Sequence, residues 1–234
     1  MLTIADTQVF GWEAAIRGMR NPMNSWDRSD SYFGDSYLED ESTLVKQHIG
    51  ESDLNLMKRL VKAGTDHRKF MRMIVVSADV TAPLYWWKEF DTYKVGTVAN
   101  SCSTMHKIHA NEFIEDDFSC EHLMRSVFDL DSTERSVTGP VPPTPYENLQ
   151  NTIQCLNKCR ELYLKTKEKV YWWQMIQLLP SSYNQKRTIM VNYEVLANIY
   201  HSRKNHKLDE WHIFCDWIED LPCSELITGE ATDD

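Results

Sequence analysis

The sequence predicts a mixed α/β protein, because stretches of helical periodicity alternate with shorter apolar stretches of strand character. Residues 70–81, FMRMIVVSADVT, are rich in Val and Ile and partly alternate, which is typical of a strand. Residues 146–178 place apolar side chains at helical spacing over several turns. The chain has 234 residues, 42% of them hydrophobic, so it can bury a substantial core. We expect a single domain over residues 1–234.

Two helices and a loop are predicted before this strand. Residues 11–19 predict a short helix that ends near Asn21-Pro22, and the polar, acidic residues 24–50 predict a long loop. A capped amphipathic helix is predicted from Ser52, where apolar residues recur at helical spacing. Gly64 stands where a C-cap glycine belongs, so this helix should end there.

Two further helices are predicted after the strand. Ala82-Pro83 ends the strand, and residues 84–94, LYWWKEFDTYK, have the composition of a helix. Residues 132–146 hold four of the eight prolines and predict a stiff connector. The helix over 146–178 then runs to a stop at Leu179-Pro180. Its buried side is predicted to carry Leu149, Ile153, Leu156 and Leu162.

The last part of the chain predicts a short strand and two helices. Residues 187–191, RTIMV, predict the strand, and a helix from Asn192 to Arg203 follows it. A final helix is predicted over 208–220, before a tail, GEATDD, that we expect to fray. Its inward side is predicted to carry Leu208, Trp211, Cys215 and Ile218.

Charge and hydropathy argue against two classes of partner. The formal net charge of −10 is unsuited to general binding of nucleic acids or anionic membranes, since both require a basic surface. No stretch approaches the roughly 18 apolar residues of a membrane span. The first residues, MLTIADTQVFGWEAA, lack the basic start and unbroken apolar run of a signal peptide, so we expect a cytoplasmic protein.

The cysteines predict reduced structural thiols rather than a metal site. Cys155 and Cys159 are four residues apart in a helical pattern and therefore share a helix face. None of the cysteines forms a CxxC pair, and no further ligands stand at a suitable spacing, so we expect no metal. The six cysteines are Cys102, Cys120, Cys155, Cys159, Cys215 and Cys223.

The predicted helix 192–203 carries an unusual arginine. Asn192 and Arg203 are eleven residues apart, about three turns, and so lie on one face of the helix. Arg203 also continues an apolar line through Leu196 and Ile199. An arginine in that place needs an anion, a carboxylate partner or a solvent-exposed edge. The pattern alone leaves a ligand contact and a structural role, as a snorkelling arginine or in an ion pair, equally open.

A polar segment that follows the first strand could bind an anion or a nucleotide. Small polar residues within VTAPLYWWKEFDTYKVGTVANSCSTMHKIH offer hydroxyl and backbone N–H donors, among them Thr97, Asn100, Ser101 and Ser103. Segments that follow strands are common places for sites. The alternative is a capped helix start followed by a polar loop, and the residue chemistry alone favours it.

The order of features resembles the flavin-dependent thymidylate synthases. A helix ending in Lys-Ala-Gly, then His67, then a strand ending in Val-Thr-Ala-Pro is similar to the corresponding run in that family. Near the start, AAIRGMR resembles the family's N-terminal helix with its paired arginines. Further along, Leu179-Pro180 precedes Asn192, Asn198 and Arg203, whose spacings of six and five residues are those of the family. The resemblance runs in order from about residue 12 to about 220.

The family signature, RHRxxSxNxxSxRY, is altered in this chain. Aligned without gaps, its Arg-His-Arg triplet becomes Thr92-Tyr93-Lys94, and the serine nearest the substrate becomes Cys102. With one inserted residue, Asn100 and Ser103 match the signature's asparagine and second serine. Neither register restores the signature arginines, so basic residues elsewhere would have to bind phosphate. The candidates for that role are Arg17, Arg20, Lys88, Lys94 and Arg187.

The resemblance implies a single domain with a central, mostly antiparallel sheet flanked by helices, and a homotetramer whose active sites form between subunits. It also implies FAD as cofactor and methylene transfer from methylenetetrahydrofolate to dUMP or a related pyrimidine nucleotide. Arg203 would stabilise negative charge on the pyrimidine ring, while Ser103 and Cys102 would lie near the substrate without either being required as a nucleophile. Candidate cofactor contacts are His67, Lys94, Asn100, Asn192 and Asn198. Candidate substrate contacts are Arg20, Lys88, Thr97 and Arg187.

Two other interpretations follow from the altered signature. A homologue could keep the fold while serving as a nucleotide-binding or interaction module, because a nucleotide and a dinucleotide cofactor both need charge-matched partners. The chain could also be an unrelated helical α/β domain, since fold alone does not decide function.

Overall fold

Strands and helices alternate along residues 1–37, 44–126 and 142–229, which are the residues that the computed structural model describes. The strands are β1 (Thr3–Phe10), β2 (Tyr32–Tyr37), β3 (Leu44–His48), β4 (Val75–Pro83), β5 (Val98–Ser101) and β6 (Asn184–Asn192). The helices are α1 (Trp12–Arg20), α2 (Glu51–Lys62), α3 (Leu84–Phe90), α4 (Thr104–Lys107), α5 (Pro145–Thr166), α6 (Lys169–Leu178), α7 (Tyr193–Arg203), α8 (Asp209–Glu219) and α9 (Glu225–Thr228). The predicted mixed α/β class is confirmed.

A four-stranded antiparallel sheet in the order β1-β4-β6-β5 confirms the predicted sheet. At one end of the central pair, the Tyr193 N–H donates to the Ile74 carbonyl at 3.0 Å. At the other end, the Leu84 N–H donates to the Tyr183 carbonyl, also at 3.0 Å, so β4 and β6 run in opposite directions. The edge strand β1 has no counterpart among the predicted elements, because its residues are mostly exposed and do not alternate in burial.

The prediction of a long loop over 24–50 is wrong, because β2 and β3 form an antiparallel hairpin there. Tyr32 pairs with His48, and Phe33 pairs with Gln47. The acidic residues dominated the composition of this stretch and hid the aromatic and β-branched residues that favour a strand. Residues 38–43, which include much of that acidic run, lie outside the described residues.

Other predicted elements differ in their bounds, among them the predicted helix 84–94, which is α3 and ends at Phe90. The predicted strand 70–81 begins with a 3-10 turn, Lys69–Met73, because Phe70 and Met71 are buried together before β4 starts. The predicted helix 146–178 is two helices, α5 and α6, since Lys167 takes a left-handed conformation with φ of 61° and ends the first. The predicted buried side of α5 is confirmed at Leu149, Ile153 and Leu156. Most of the predicted Pro-rich connector, residues 132–141, and all but the first residue of the predicted frayed tail lie outside the described residues.

The chain divides into two compact units. Unit 1 comprises Met1–Thr3, Val80–Thr92 and Asn100–Arg187. Unit 2 comprises Ile4–Asp79, Tyr93–Ala99 and Thr188–Asp234. The core of unit 1 contains Ile108, Phe113, Phe118, Leu149, Ile153, Leu156 and Met175. The core of unit 2 includes the fully buried rings of Trp12, Tyr193, Trp211 and Phe214. The expectation of a single domain stays a prediction.

All six cysteines are free thiols, and none of them lies in a disulfide. Within the described ranges, no His, Cys, Asp or Glu cluster is suited to holding a metal ion. In the same ranges, no helix combines the length and apolar character needed to cross a membrane.

A buried ion pair joins α1 to α2 in unit 2. Arg20 is 3% exposed and Asp53 is fully buried, and Arg20 Nε donates to Asp53 Oδ1 at 2.6 Å. The Ser29 hydroxyl and the Ser31 N–H donate to Asp53 Oδ2 at 2.7 and 3.2 Å, while Arg20 Nη2 donates to the Arg28 carbonyl at 3.0 Å. Burial by itself raises the pKa of Asp53, but hydrogen bonds from Ser29, Ser31 and Arg20 and the Arg20 charge outweigh it and lower that pKa below its ordinary value.

The N-terminus of α2 is capped from outside the helix rather than by its own residue. The predicted cap at Ser52 is wrong: the N-cap residue is Gly50, which has no side-chain bond. The Asp30 carboxylate instead accepts from the N–H groups of Ser52 and Asp53 at 2.8 and 3.1 Å. A carboxylate at this end also complements the helix dipole, so the segment before β2 and the start of α2 stabilise each other. Gly64, with φ of +96°, confirms the predicted glycine at the end of α2.

We predict that Asp53→Asn lowers the free energy of unfolding by about 3 to 5 kcal/mol at neutral pH, because Arg20 keeps a buried charge without its partner. Urea denaturation measures the change. Glu13→Gln is the matched control, because Glu13 pairs with Arg17 at 3.7 Å on the surface and should contribute nothing measurable. Equal unfolding free energies for the Asp53 variant and the unaltered protein would show that the buried ion pair does not stabilise the fold.

The ion pair of Arg20 and Asp53 also predicts how the stability of the fold depends on pH. The folded state lowers the pKa of Asp53. The ionised carboxylate therefore adds its full contribution to the free energy of unfolding above the unfolded-state pKa, and this contribution is lost as pH falls through the folded-state pKa. The difference in unfolding free energy between the unaltered protein and Asp53→Asn should therefore narrow on acidification. Denaturation series from neutral to acidic pH measure it, and a difference that widens would refute the role of the ionised carboxylate.

Candidate functional site

A short segment of unit 2, Tyr93–Ala99, packs along α7. Gly96 has φ of +77°, a backbone conformation that side chains disfavour. A Cβ atom at this residue would lie 2.7 Å from Asn192 Nδ2 and 3.3 Å from Val195 Cγ2. Glycine therefore allows the backbone of the segment to approach the first turn of α7 closely.

Asn192 ends β6 and caps α7. Its Oδ1 accepts a hydrogen bond from the Val195 N–H at 3.0 Å, which satisfies one of the free donors of the first turn. The prediction of a helix opening at this asparagine is confirmed. Asn198 lies further along α7 and is exposed.

Arg203 lies at the C-terminal end of α7 against two aromatic rings. Its Nε donates to the Tyr93 hydroxyl at 2.9 Å. Its guanidinium carbon is 4.8 Å from the centre of the Trp211 ring and 5.7 Å from that of Tyr93. Aromatic faces attract a guanidinium, so the two rings and the hydroxyl together fix where this positive charge lies.

The remaining site candidates of unit 2 differ in their surroundings. Thr97 belongs to the same segment as Tyr93, and its Oγ1 is buried with no hydrogen-bond partner among the described residues. Lys94 is exposed on that segment. His67 is exposed in the turn after α2, where its N–H donates to the Gly64 carbonyl at 3.0 Å. Arg20 is held in the buried pair with Asp53.

A groove of about 310 Å³ also lies in unit 2, between α1 and β2. It is lined by Glu13, Ile16, Arg17, Arg20, Trp26, Ser29, Ser31, Tyr32 and Phe33. Of the residues singled out from the sequence, it includes Arg17 and Arg20.

In unit 1, Arg187 and Cys102 are joined by a glutamine that the sequence did not single out. The buried Gln185 donates from Nε2 to the Cys102 carbonyl at 2.8 Å and accepts from Arg187 Nε at 3.0 Å. Arg187 Nη1 is 2.8 Å from an Asp91 carboxylate oxygen, and its guanidinium carbon lies 4.2 Å from the centre of the Trp87 ring. The charge of Arg187 is therefore already paired within this unit.

The other candidates of unit 1, which are Lys88, Asn100, Ser101 and Ser103, are exposed. Ser103 caps α4, because its Oγ accepts from the His106 N–H at 3.0 Å, which is the capped-helix alternative raised by its sequence context. Asn100 lies on β5, and Lys88 lies on α3. The units thus bring Arg203 together with Tyr93, and Asn192 with Gly96, in one place, and Cys102 with Arg187 in another.

Tyr93 and Trp211 are contacts of Arg203 that the sequence did not assign to the site. Tyr93 is the residue aligned with the histidine of the signature triplet, and Trp211 follows Arg203 by eight residues. The available signal was chemical, since an arginine on an apolar helix face can be held by aromatic rings as well as by an acid. The sequence pattern pointed only to an anion, a carboxylate or solvent as the partner of Arg203.

Solved structures with this fold are known. Thymidylate synthase X (ThyX) from Helicobacter pylori with FAD and dUMP matches with a TM-score of 0.62 at 14% identity, over 98% of both chains. A second structure of the H. pylori enzyme, complexed with FAD and dUMP, gives 0.61 at 14% identity over 97% of both. The chain has the fold of the flavin-dependent thymidylate synthases.

The ThyX fold also extends to a further solved protein. A UMP/dUMP methylase, PolB, from Streptomyces cacaoi bound with 5-Br dUMP matches with a TM-score of 0.55 at 13% identity, over 99% of this chain and 95% of that one. No protein-family model and no curated protein sequence matches the chain. The likeness at this identity concerns the fold, and the predicted resemblance is confirmed at that level.

We predict that Asn192→Ala lowers the free energy of unfolding by about 1 kcal/mol in the absence of ligands, because α7 loses its capping bond. Asn198→Ala is the matched control on the same helix, where alanine removes no cap and favours helix formation. Urea denaturation of both variants compares the two positions. A smaller loss for Asn192 than for Asn198 would show that the capping bond contributes nothing.

Proposed function

We propose that this protein is a flavin-dependent enzyme that methylates dUMP or a related pyrimidine nucleotide, with methylenetetrahydrofolate as the carbon donor. The observation that carries the proposal is the position of Arg203, held by Tyr93 and Trp211 at the end of α7. The fold shared with a ThyX that binds FAD and dUMP, and with a UMP/dUMP methylase, supports it.

Arg203 would supply positive charge to the pyrimidine. Attack on the methylene donor requires electron density at the ring, and a fixed guanidinium beside the ring carbonyl stabilises the negative charge that develops. The aromatic contacts of Arg203 support this role, because they orient the charge before the ligand arrives. Cys102 and Ser103 are proposed to lie beside the substrate without acting as nucleophiles.

The chain offers amide and hydroxyl groups suited to a flavin nucleotide. Thr97 Oγ1, which is buried with no partner in the described part of the chain, and the close approach of Gly96 to Asn192 are features that a polar ligand would complete. Asn192, Asn198, Asn100, Lys94 and His67 are the proposed cofactor contacts. When bound, FAD supplies the hydride that completes the reduction, and these residues would hold and orient it.

The proposed phosphate contacts are weaker than those of the signature arginines. Lys88 and Lys94 are exposed point charges rather than bidentate forks, and Thr97 adds a hydroxyl. Arg20 and Arg187 are the other proposed substrate contacts, and each already pairs with a carboxylate, that of Asp53 or Asp91. A homotetramer is proposed, in which a neighbouring copy would complete each site.

A second candidate function is a nucleotide-binding or interaction protein that keeps the fold without the reaction. The specific observation in its favour is the pair of ion contacts, Arg20 with Asp53 at 2.6 Å and Arg187 with Asp91 at 2.8 Å. An arginine already paired with an acid gains less from a phosphate, because the acid must first be displaced.

Ligand binding separates the two candidates. We predict that the purified protein carries the visible absorbance of bound flavin, and that excess FAD or dUMP raises its melting temperature, since a ligand of the folded state must stabilise it. Colourless protein that gains stability from dUMP alone would favour the second candidate. Protein that gains none from either ligand would eliminate the enzyme.

We predict that Arg203→Ala abolishes turnover and leaves the oligomeric state unchanged. Methylation of dUMP and size-exclusion chromatography provide the measurements. Arg59→Ala is the control, because Arg59 is an exposed arginine on α2. Turnover that survives in the Arg203 variant would refute its assignment as the group that stabilises the pyrimidine.

A further inference from the structure

The groove between α1 and β2 in unit 2 combines aromatic rings with one acid and one base. Its volume of about 310 Å³ lies at the lower end of the range for small-molecule sites, which suits a single ring system rather than a dinucleotide. Trp26, Tyr32 and Phe33 supply the rings. Glu13 and Arg17 supply the charges. This combination suits a flat heterocycle with polar groups along one edge.

Two of these rings are partly open to solvent yet held in place. Trp26 is 49% exposed and Tyr32 is 37% exposed, although large rings are usually buried. Trp26 Nε1 donates to Asn21 Oδ1 at 2.9 Å. The His48 ring stacks on Tyr32, with centres 5.1 Å apart and planes at 25°. Each ring is therefore supported by a neighbour, and Tyr32 keeps one face that His48 does not cover.

Arg20 fixes the turn that carries Trp26. Its Nη1 donates to the Ser25 carbonyl at 3.2 Å, and its Nη2 donates to the Arg28 carbonyl at 3.0 Å. These two carbonyls stand on either side of Trp26 in the chain, so a buried side chain anchors the turn to α1. A wall that is ordered before a ligand arrives lowers the entropic cost of binding.

Glu13 and Arg17 lie one turn apart on α1. Arg17 Nη1 is 3.7 Å from Glu13 Oε1, and both side chains are mostly exposed. Such a pair contributes little in water, so a ligand can displace it at low cost. A carboxylate accepts from N–H groups, and a guanidinium donates to an oxygen. Together the two side chains are complementary to a heterocycle edge on which N–H groups adjoin a carbonyl.

Guanine and pterin rings carry this kind of edge. Both have a ring N–H and an exocyclic amino group, which donate together to one carboxylate, beside a carbonyl that accepts from a guanidinium. Adenine presents a ring nitrogen and an amino group instead, so its edge does not match the acid. Uracil offers the carboxylate only one N–H. A simple anion would be repelled by Glu13, and a simple cation would be repelled by Arg17.

We propose that this groove binds a fused heterocycle that carries an amino group and a carbonyl on either side of a ring N–H, as guanine and pterins do. The ring stacks on Trp26 and Tyr32. Its N–H groups donate to Glu13, and its carbonyl accepts from Arg17. The inference goes beyond the function proposed above, because Arg203 and its aromatic contacts play no part in it.

Titration calorimetry of the full-length protein with GMP, folic acid and AMP tests the proposal. We expect GMP or folic acid to bind about tenfold more tightly than AMP, because AMP leaves the Glu13 carboxylate without its donors. Glu13→Gln should weaken the preferred ligand about tenfold, through loss of charge-assisted hydrogen bonds, and reduce its advantage over AMP. Glu161→Gln is the matched control and should change neither, since Glu161 is an exposed acid on α5 that pairs with Lys158 at 3.2 Å.

Trp26→Leu tests the stacking. We expect this variant to bind the preferred ligand about tenfold more weakly, because the heterocycle loses an aromatic platform. Trp173→Leu is the matched control: Trp173 is 41% exposed on α6 and does not line the groove. Melting curves show whether Trp26→Leu folds. If it does not, Glu13→Gln decides, because that change alters only an exposed side chain.

The relative affinities of GMP and folic acid identify the source of the ring, a guanine nucleotide or a pterin. Binding of neither would overturn the proposal, as would AMP binding of equal strength. Affinities that Glu13→Gln leaves unchanged, or that the control variants lower equally, would also overturn it. The failure of the proposed function looks different: if the protein binds neither dUMP nor FAD, that function is wrong, while the titrations with GMP and folic acid still decide the ligand of the groove.

Discussion

The burial of α7 is the constraint on which unit 2 depends. Most of this helix is buried, so each of its buried polar groups requires a partner that water would otherwise supply. Asn192 satisfies a donor of the first turn, and Glu194, in that same turn, accepts from Arg68 Nη2 at 3.1 Å. Arg203 at the far end meets Tyr93. The acidic group lies near the positive end of the helix dipole and the basic group near its negative end, so both charges favour the helix in its place.

Local sequence patterns predicted the elements whose formation depends on neighbouring residues. The spacing that defines α2, the asparagine that opens α7 and the Ala82-Pro83 end of β4 act over a few positions, so the sequence displays them directly. The β2–β3 hairpin depends instead on the pairing of β2 with β3, and pairing partners leave no periodic trace in an acidic stretch. The end of α5 at Lys167 could not be predicted for a different reason. Lysine favours helix formation, and its presence does not indicate the left-handed conformation that it takes here.

The candidate site was predictable in its positions but not in its contacts. Helical spacing placed Asn192 and Arg203 on one face, and the order of features resembled a known family. Spacing cannot reveal which residues from elsewhere in the chain will meet them, because such contacts arise only when distant segments pack. The ring of Trp211, the hydroxyl of Tyr93 and the carboxylates beside Arg20 and Arg187 are all of this kind. Because these carboxylates offset the charges of Arg20 and Arg187, fewer positive charges are available to bind a phosphate than the number of arginines suggests.

The capping bond of Asn192 has a consequence for molecular recognition. A side-chain amide usually presents an acceptor and a donor, and rotation by half a turn exchanges them. At Asn192 the oxygen is occupied by the Val195 N–H, and the nitrogen is the atom nearest Gly96. The capping bond therefore gives the amide a fixed polarity, with its N–H groups on the side that faces Gly96. A carbonyl or phosphate oxygen is matched to those N–H donors at that edge of the helix.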